Sequence, residues 1–250
     1  MREEAGDRQD AERLARAAAN RAAHLPALGI SLNNHALRLA EVGRPDEALP
    51  ICEEAVRLRR RLVELNRAAH LPDLAGSLDN HAALLAWVGR PDEALPICEE
   101  AVSLYRELVE LNRDAYLPDL AMSVNNHAMW LAEVGRPDEA LPVSQEAVRL
   151  RRELVQLNQD AYLPGYTKSL VVLGLVLIEG ACFRKAIASL VEAFSTGQHL
   201  PDYAQGIIGT IIDLLRRAHA GDATGVSQEF RALTGQDVPE WMKQPPTSER

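Results

Sequence analysis

The octapeptide GRPDEALP begins at Gly43, at Gly89 and again at Gly135, a step of 46 residues each time. A chain that repeats itself at this period folds as a row of equivalent units, each burying its apolar face against the next. Asn20, Asn66, Asn112 and Asn158 keep the same step. A fourth copy survives in weakened form: Glu133 carries to Glu179 and Ala140 to Ala186, while Gly135 becomes Ala181 and Pro137 becomes Phe183.

Each unit resolves into two helices. In the second copy Leu74, Leu78 and Leu85, with Ala75 and Ala82, recur at helical spacing, and Gly89 ends the run as glycine does at a helix C-terminus. This is helix A. Pro91, followed by Asp92 and Glu93 near the positive end of the dipole, opens helix B, which runs through Leu95, Ala101, Val102, Leu108 and Leu111 to a short loop around Asn112. No period-two alternation and no Asn-Gly or Asp-Gly hairpin signal is present, so the chain is expected to be an all-α solenoid. Pro50, Pro96 and Pro142 fall five residues after the opening proline, where each removes a backbone hydrogen bond. Either helix B bends there or its regular part starts after an irregular first turn.

These residues resemble a tetratricopeptide repeat. The resemblance rests on the small residues Ala36, Ala82, Ala128 and Gly174, the glycine of the A-to-B turn, the alanines Ala48, Ala94, Ala140 and Ala186, and the further alanines Ala55, Ala101 and Ala147. The 46-residue unit is longer than the usual one of about 34 and is similar to the long-helix variants, including the kinesin light chain type and arrays beside signalling ATPases or caspase-like proteases in bacterial proteins. The resemblance covers about Asn20 to Gly197 and implies a right-handed superhelix of antiparallel helix pairs with C-terminal capping helices. The expected organisation is a frayed or polar N-terminal helix over 1–19, four repeats at 20–65, 66–111, 112–157 and 158–197, capping helices over 198–242 and a disordered tail at 243–250. Ile207, Ile211 and Leu215 share one face of the first capping helix, a second is expected near Ser227 to Leu233, and Trp241 is a candidate anchor.

A net charge of -9 offers no broad positive field, which argues against nucleic acid and anionic membranes and for a partner with basic and apolar residues. The longest uninterrupted apolar run, Leu170 to Ile178, is too short to span a bilayer, and the first twenty residues lack the apolar stretch of a signal peptide, so a cytoplasmic location is expected. Cys52, Cys98 and Cys182 show no CxxC spacing and are expected to be reduced. No phosphate-binding GxxxxGK[ST] and no helix-turn-helix is recognisable.

His35, His81 and His127 repeat in phase, and Cys52 and Cys98 follow the first two by seventeen residues. A Cys/His neighbourhood suits a thiolate nucleophile or a soft metal, but the third copy replaces the cysteine by Ser144 and no matched third residue orients a base. The favoured reading is one buried polar hydrogen bond per repeat, with no catalytic residues, no metal and no cofactor. The arginines Arg57, Arg59, Arg60 and Arg61 alternate with Glu53, Glu54 and Glu64 and read as a solvated helix B face with pairs such as Glu53 to Arg57.

Asparagines recur at Asn33 and Asn34, Asp79 and Asn80, and Asn125 and Asn126. In the family the resemblance points to, the exposed face of helix A lines a concave groove, where asparagine can hold a partner's backbone; alternatively these residues tie neighbouring repeats together. Steps of four define one face per repeat: Asn33, Leu37 and Glu41; Asp79, Ala83 and Trp87; Asn125, Met129 and Glu133. Trp87 stands where the neighbouring repeats carry glutamate, either as a binding anchor beside Asp79, Asn80 and Met129 or folded back as packing. Two functional classes follow: a non-catalytic scaffold whose groove takes a peptide or protein segment, and a ligand-gated sensor or regulatory subunit of a bacterial signalling or defence system.

Overall fold

In the computed structural model, which describes residues 24–246, the chain is all-α. Ten helices are present among the described residues: α1 (24–41), α2 (Pro45–Leu65), α3 (Arg67–Trp87), α4 (Pro91–Leu111), α5 (Arg113–Glu133), α6 (Pro137–Leu157), α7 (Gln159–Glu179), α8 (Phe183–Gly197), α9 (Ile207–Gly221) and α10 (Ala223–Thr234). Single 3₁₀ turns precede α9 and follow α10, and no strand occurs among these residues. The expected N-terminal helix over 1–19 lies outside the described residues.

Every A-to-B turn is a Schellman motif. Arg44 N–H donates to Leu39 O and Gly43 N–H to Ala40 O, both at 2.9 Å, and the same pair of bonds closes α3 at Gly89 and α5 at Gly135. The motif needs a left-handed residue, and Gly43, Gly89 and Gly135 take φ of 76°, 77° and 75°. In the fourth copy Ala181 does the same at φ 54°, with Cys182 N–H donating to Leu177 O at 2.7 Å. A β-carbon in that region costs about 1–2 kcal/mol, partly offset by the smaller entropy of alanine in the unfolded chain. Ala181→Gly is therefore expected to stabilise the protein by up to about 1 kcal/mol in denaturant unfolding; an unchanged or lower midpoint would show that the turn carries no strain.

The B-to-A connection is shorter than the expected loop. A single extended asparagine, Asn66 at φ -153° and ψ 92°, ends α2 through its N–H to Leu62 O and starts α3 by accepting Ala69 N–H on its side chain. Asn112 and Asn158 cap Ala115 and Ala161 in the same way. Helix A consequently begins at Arg67, ahead of the apolar pattern that starts at Leu74, and His70, Leu71 and Pro72 are helical. The helix B prolines also lie inside continuous helix: α2 runs unbroken from Pro45 through Pro50, which removes the reading of an irregular first turn. Pro50 and Asp46, whose carbonyl loses its intrahelical donor, are both exposed, so water can replace the missing bond.

The chain divides into two compact units, residues 1–104 and 105–250, with the boundary inside α4. In the first, α2 packs against α3, and Val56, Leu74, Leu78 and Ala101 form a core flanked by Val63, Ile97 and Leu104. Arg59, expected on a solvated face, is buried and makes a 2.6 Å ion pair with Asp73 of α3, while Arg60 reaches Glu100 of α4 at 2.6 Å. The arginine-rich face thus ties helices together, while Glu53, expected to pair with Arg57, lies 3.9 Å from His81.

In the second unit α5 to α9 pack consecutively and α10 covers α8 and α9. Tyr166, Leu170, Ile187, Leu190, Ile211 and Leu215 anchor its core. Arg106 pairs with Glu146 at 2.9 Å, and one step later Arg152 donates to the Tyr166 hydroxyl, which bonds Glu192. Helix α7 is long and apolar enough to cross a membrane by composition, more than the run Leu170 to Ile178 suggests, yet it packs between α6 and α8 with more than half of its apolar stretch buried. The C-terminal segment closes the core: Met242 is fully buried, Trp241 stacks on Phe194 at 6.0 Å between centroids, and Arg216 donates to Trp241 O and Gln244. Of the expected tail at 243–250, Lys243 ends a 3₁₀ turn and residues 247–250 lie outside the described part.

Candidate functional site

In the first copy the Cys/His positions do not form the expected pair. Cys52 is fully buried, and its thiol donates to the Ser77 carbonyl of α3 at 3.9 Å, while His35 is exposed. Burial, with a smaller contribution from Glu53, pushes the Cys52 thiol up to about 12, so it stays protonated at neutral pH and is a poor nucleophile or metal ligand. His81 is lowered by burial, against the pull of Glu53 at 3.9 Å. Among the described residues no three His, Cys, Asp or Glu side chains converge as a metal site.

Along the predicted helix A face of the first unit, Asn33 and Asn80 are half-buried, and the Asn80 amide donates to Asn33 Oδ1 at 3.0 Å. This bond links α1 to α3 and is the tie between repeats that the sequence leaves open. Asn34 and Glu41 are exposed and Leu37 is half-buried. Asp79, expected on the exposed face, is only 6% exposed, and its counterpart Asn125 in the second unit 5%. Both sit mid-helix in helices with further helices packed beside them, and a step of four drifts around a 3.6-residue turn, so the polar end of the predicted stripe falls under its neighbours. Trp87, at the other end, is 61% exposed.

In the second unit the same stripe opens into a hollow of about 520 Å³ between α5, α7 and α9. Met129 of α5, Val171, Val172 and Leu175 of α7, and Ile207 and Leu214 of α9 give it an apolar floor. Lys168, Thr210, Asp213 and Arg217 stand at its rim, where Arg217 pairs with Glu179 at 2.7 Å. A second hollow of about 300 Å³ adjoins it, sharing Met129 and Leu175 and reaching Glu133 and Glu179. Asn126 is half-buried on α5, and Asn125 Oδ1 has no hydrogen-bond partner.

Of the residues proposed from sequence, the hollows take up Met129 and Glu133 and leave out the asparagines. Sequence reasoning missed Val171, Leu175 and Glu179, although they are Asn125, Met129 and Glu133 carried one 46-residue step further. The contribution of α9 had no such signal, because that helix lies beyond the repeats.

Paired antiparallel helices at a fixed period, Schellman turns at the same step and an uncovered helix A face define a helical-repeat solenoid. Sequence models of the tetratricopeptide repeat family match residues 29–70 and 73–153, and those stretches are built of tetratricopeptide repeats. Its fold is similar to that of a protein of Podosopora anserina assigned to the kinesin light chains, with nearly identical TPR-like repeats. A single-substitution form of that protein aligns with a TM-score of 0.63 at 19% identity over 85% of this chain and 93% of the other. A second structure of the Podosopora anserina protein gives 0.59 at 18% identity over 82% and 94%. No curated protein matches the sequence. Tetratricopeptide repeats generally serve as scaffolds for protein interaction, and that is the class in which this chain falls.

Proposed function

We propose that the chain is a non-catalytic scaffold that holds a peptide or protein segment against the faces of its A helices, in a cytoplasmic setting. The observation that carries the reading is Trp87. A tryptophan 61% exposed, at the step where the other copies carry Glu41 and Glu133, contributes little to its own helix packing and has the size and amphipathic character of an interface anchor. Glu41 is exposed in the same unit, so the preferred partner there carries Lys or Arg next to an apolar residue, and its affinity weakens as salt rises.

The test is Trp87→Ala, scored against sixteen-residue peptides selected from a displayed random library on the unaltered chain. The variant is expected to shift the thermal midpoint by no more than about 2 °C while costing the Trp87-facing peptides about 2 kcal/mol or more of binding. A strongly destabilised variant would mean that Trp87 is packing, and undiminished binding by every selected peptide would remove it as an anchor.

A further inference from the structure

We propose that the groove between α5, α7 and α9 docks an extended peptide segment carrying an acidic residue, then an apolar residue, then a basic residue. The proposal rests on the scaffold reading above and narrows it to one site and one ligand chemistry.

The fourth copy departs from the others at the groove. Where the earlier copies hold asparagine or aspartate pairs, it has Val171 and Val172, which line the hollow with apolar side chains. At about 520 Å³ the main hollow falls within the range of pockets that bury a ligand group. It also continues into the second hollow through Met129 and Leu175, which makes it a trough rather than a pit.

The charges along this trough are sorted. Arg217 and Glu179 satisfy each other at 2.7 Å, and Asp213 is engaged within the protein. Lys168 and Glu133, in contrast, are exposed and form no ion pair among the described residues. Lys168 lies eleven residues before Glu179 on α7, and Glu133 is the counterpart of Glu179 on the neighbouring A helix. At 1.5 Å per helical residue Lys168 and the level of Glu179 and its counterpart Glu133 are offset by about 16 Å along the helix axis, an offset that an extended chain crosses in about five residues. A segment of that length places a carboxylate at Lys168, an apolar side chain over Leu175 and a cation at Glu133. A compact apolar molecule would fill the floor and leave at least one end unmatched.

Random linear heptapeptides displayed on phage, selected on the full chain and counter-selected on Thr210→Trp, which fills the hollow from an exposed position, isolate the peptides that need this groove. These are expected to share the acid, apolar, base order. Lys168→Glu or Glu133→Lys should weaken them about fivefold to tenfold, and the double charge swap should favour peptides with acid and base exchanged. Both residues are exposed and unpaired, so unchanged circular dichroism and unfolding midpoints verify that the variants fold. Groove-dependent peptides that lack the pattern, or that ignore both charge changes, overturn the proposal. If every peptide survives counter-selection and depends on Trp87, this site falls while the scaffold reading stands; if the chain selects no peptide at all, both fall.

Discussion

Deleting residues 198–250 is expected to turn a soluble, cooperatively folding chain into one that aggregates. The segment supplies Ile211, Leu214, Leu215, Val226, Val238 and Met242, each no more than 6% exposed, to the core built on α7 and α8. Burying one such side chain stabilises by about 1.5–3 kcal/mol, so the six together contribute about 9–18 kcal/mol as an upper estimate. That is comparable to the whole stability of an ordinary domain, about 5–15 kcal/mol. The deletion would bare Ile187 and Leu190, now fully buried, as a contiguous apolar surface at the end of the stack. Ile211→Ala provides the milder arm: it removes one fully buried side chain and should cost about 2–5 kcal/mol without changing the fold. A monomeric 1–197 fragment that unfolds at the same denaturant concentration as the full chain would show that α9, α10 and the Trp241 segment are decoration rather than a cap.

How far such features can be read from sequence depends on whether they repeat. The 46-residue step reveals the helix pairs and the left-handed glycine turns, because each is written three times in phase. It also conceals what is local. Asn66 reads as a loop marker, and only its side chain on Ala69 N–H shows that one residue serves as the end of α2 and the start of α3. Arg59 belongs by charge pattern to a solvated face, yet the next helix brings Asp73 within 2.6 Å of it, a partner that no spacing within α2 announces. The binding stripe suffers in the same way. Its exposed end, Trp87 and Glu133, follows from the period of one helix, whereas the burial of Asp79 and Asn125 depends on what packs beside them. The groove between α5, α7 and α9 needs a helix from outside the repeats, so counting steps reaches its α5 and α7 walls but not the α9 wall.

The same logic assigns the cysteines a structural role that can be measured. Gly174 of α7 is buried against Leu190 of α8: a β-carbon there would lie 2.5 Å from Leu190 Cδ2 and 2.7 Å from Cγ. One, two and three steps earlier the pair is Ala128 with Ser144, Ala82 with Cys98 and Ala36 with Cys52, all buried. The slot is shared by two residues whose volumes compensate: a methyl with a small polar side chain in three copies, no side chain with a full leucine in the last. Gly174→Ala alone should overfill it and cost about 1–3 kcal/mol, less up to about 1 kcal/mol returned by replacing a helical glycine. Leu190→Cys alone should leave a void and cost about 2–4 kcal/mol. The double variant rebuilds the Ala82 and Cys98 pair of the second copy, so it is expected to be more stable than the sum of the single losses by at least about 1 kcal/mol in a double-mutant cycle. Denaturant unfolding of the four proteins supplies the cycle. Strict additivity would mean that the two positions do not share one slot, and the cysteines of the earlier copies would again need an explanation in chemistry rather than in packing.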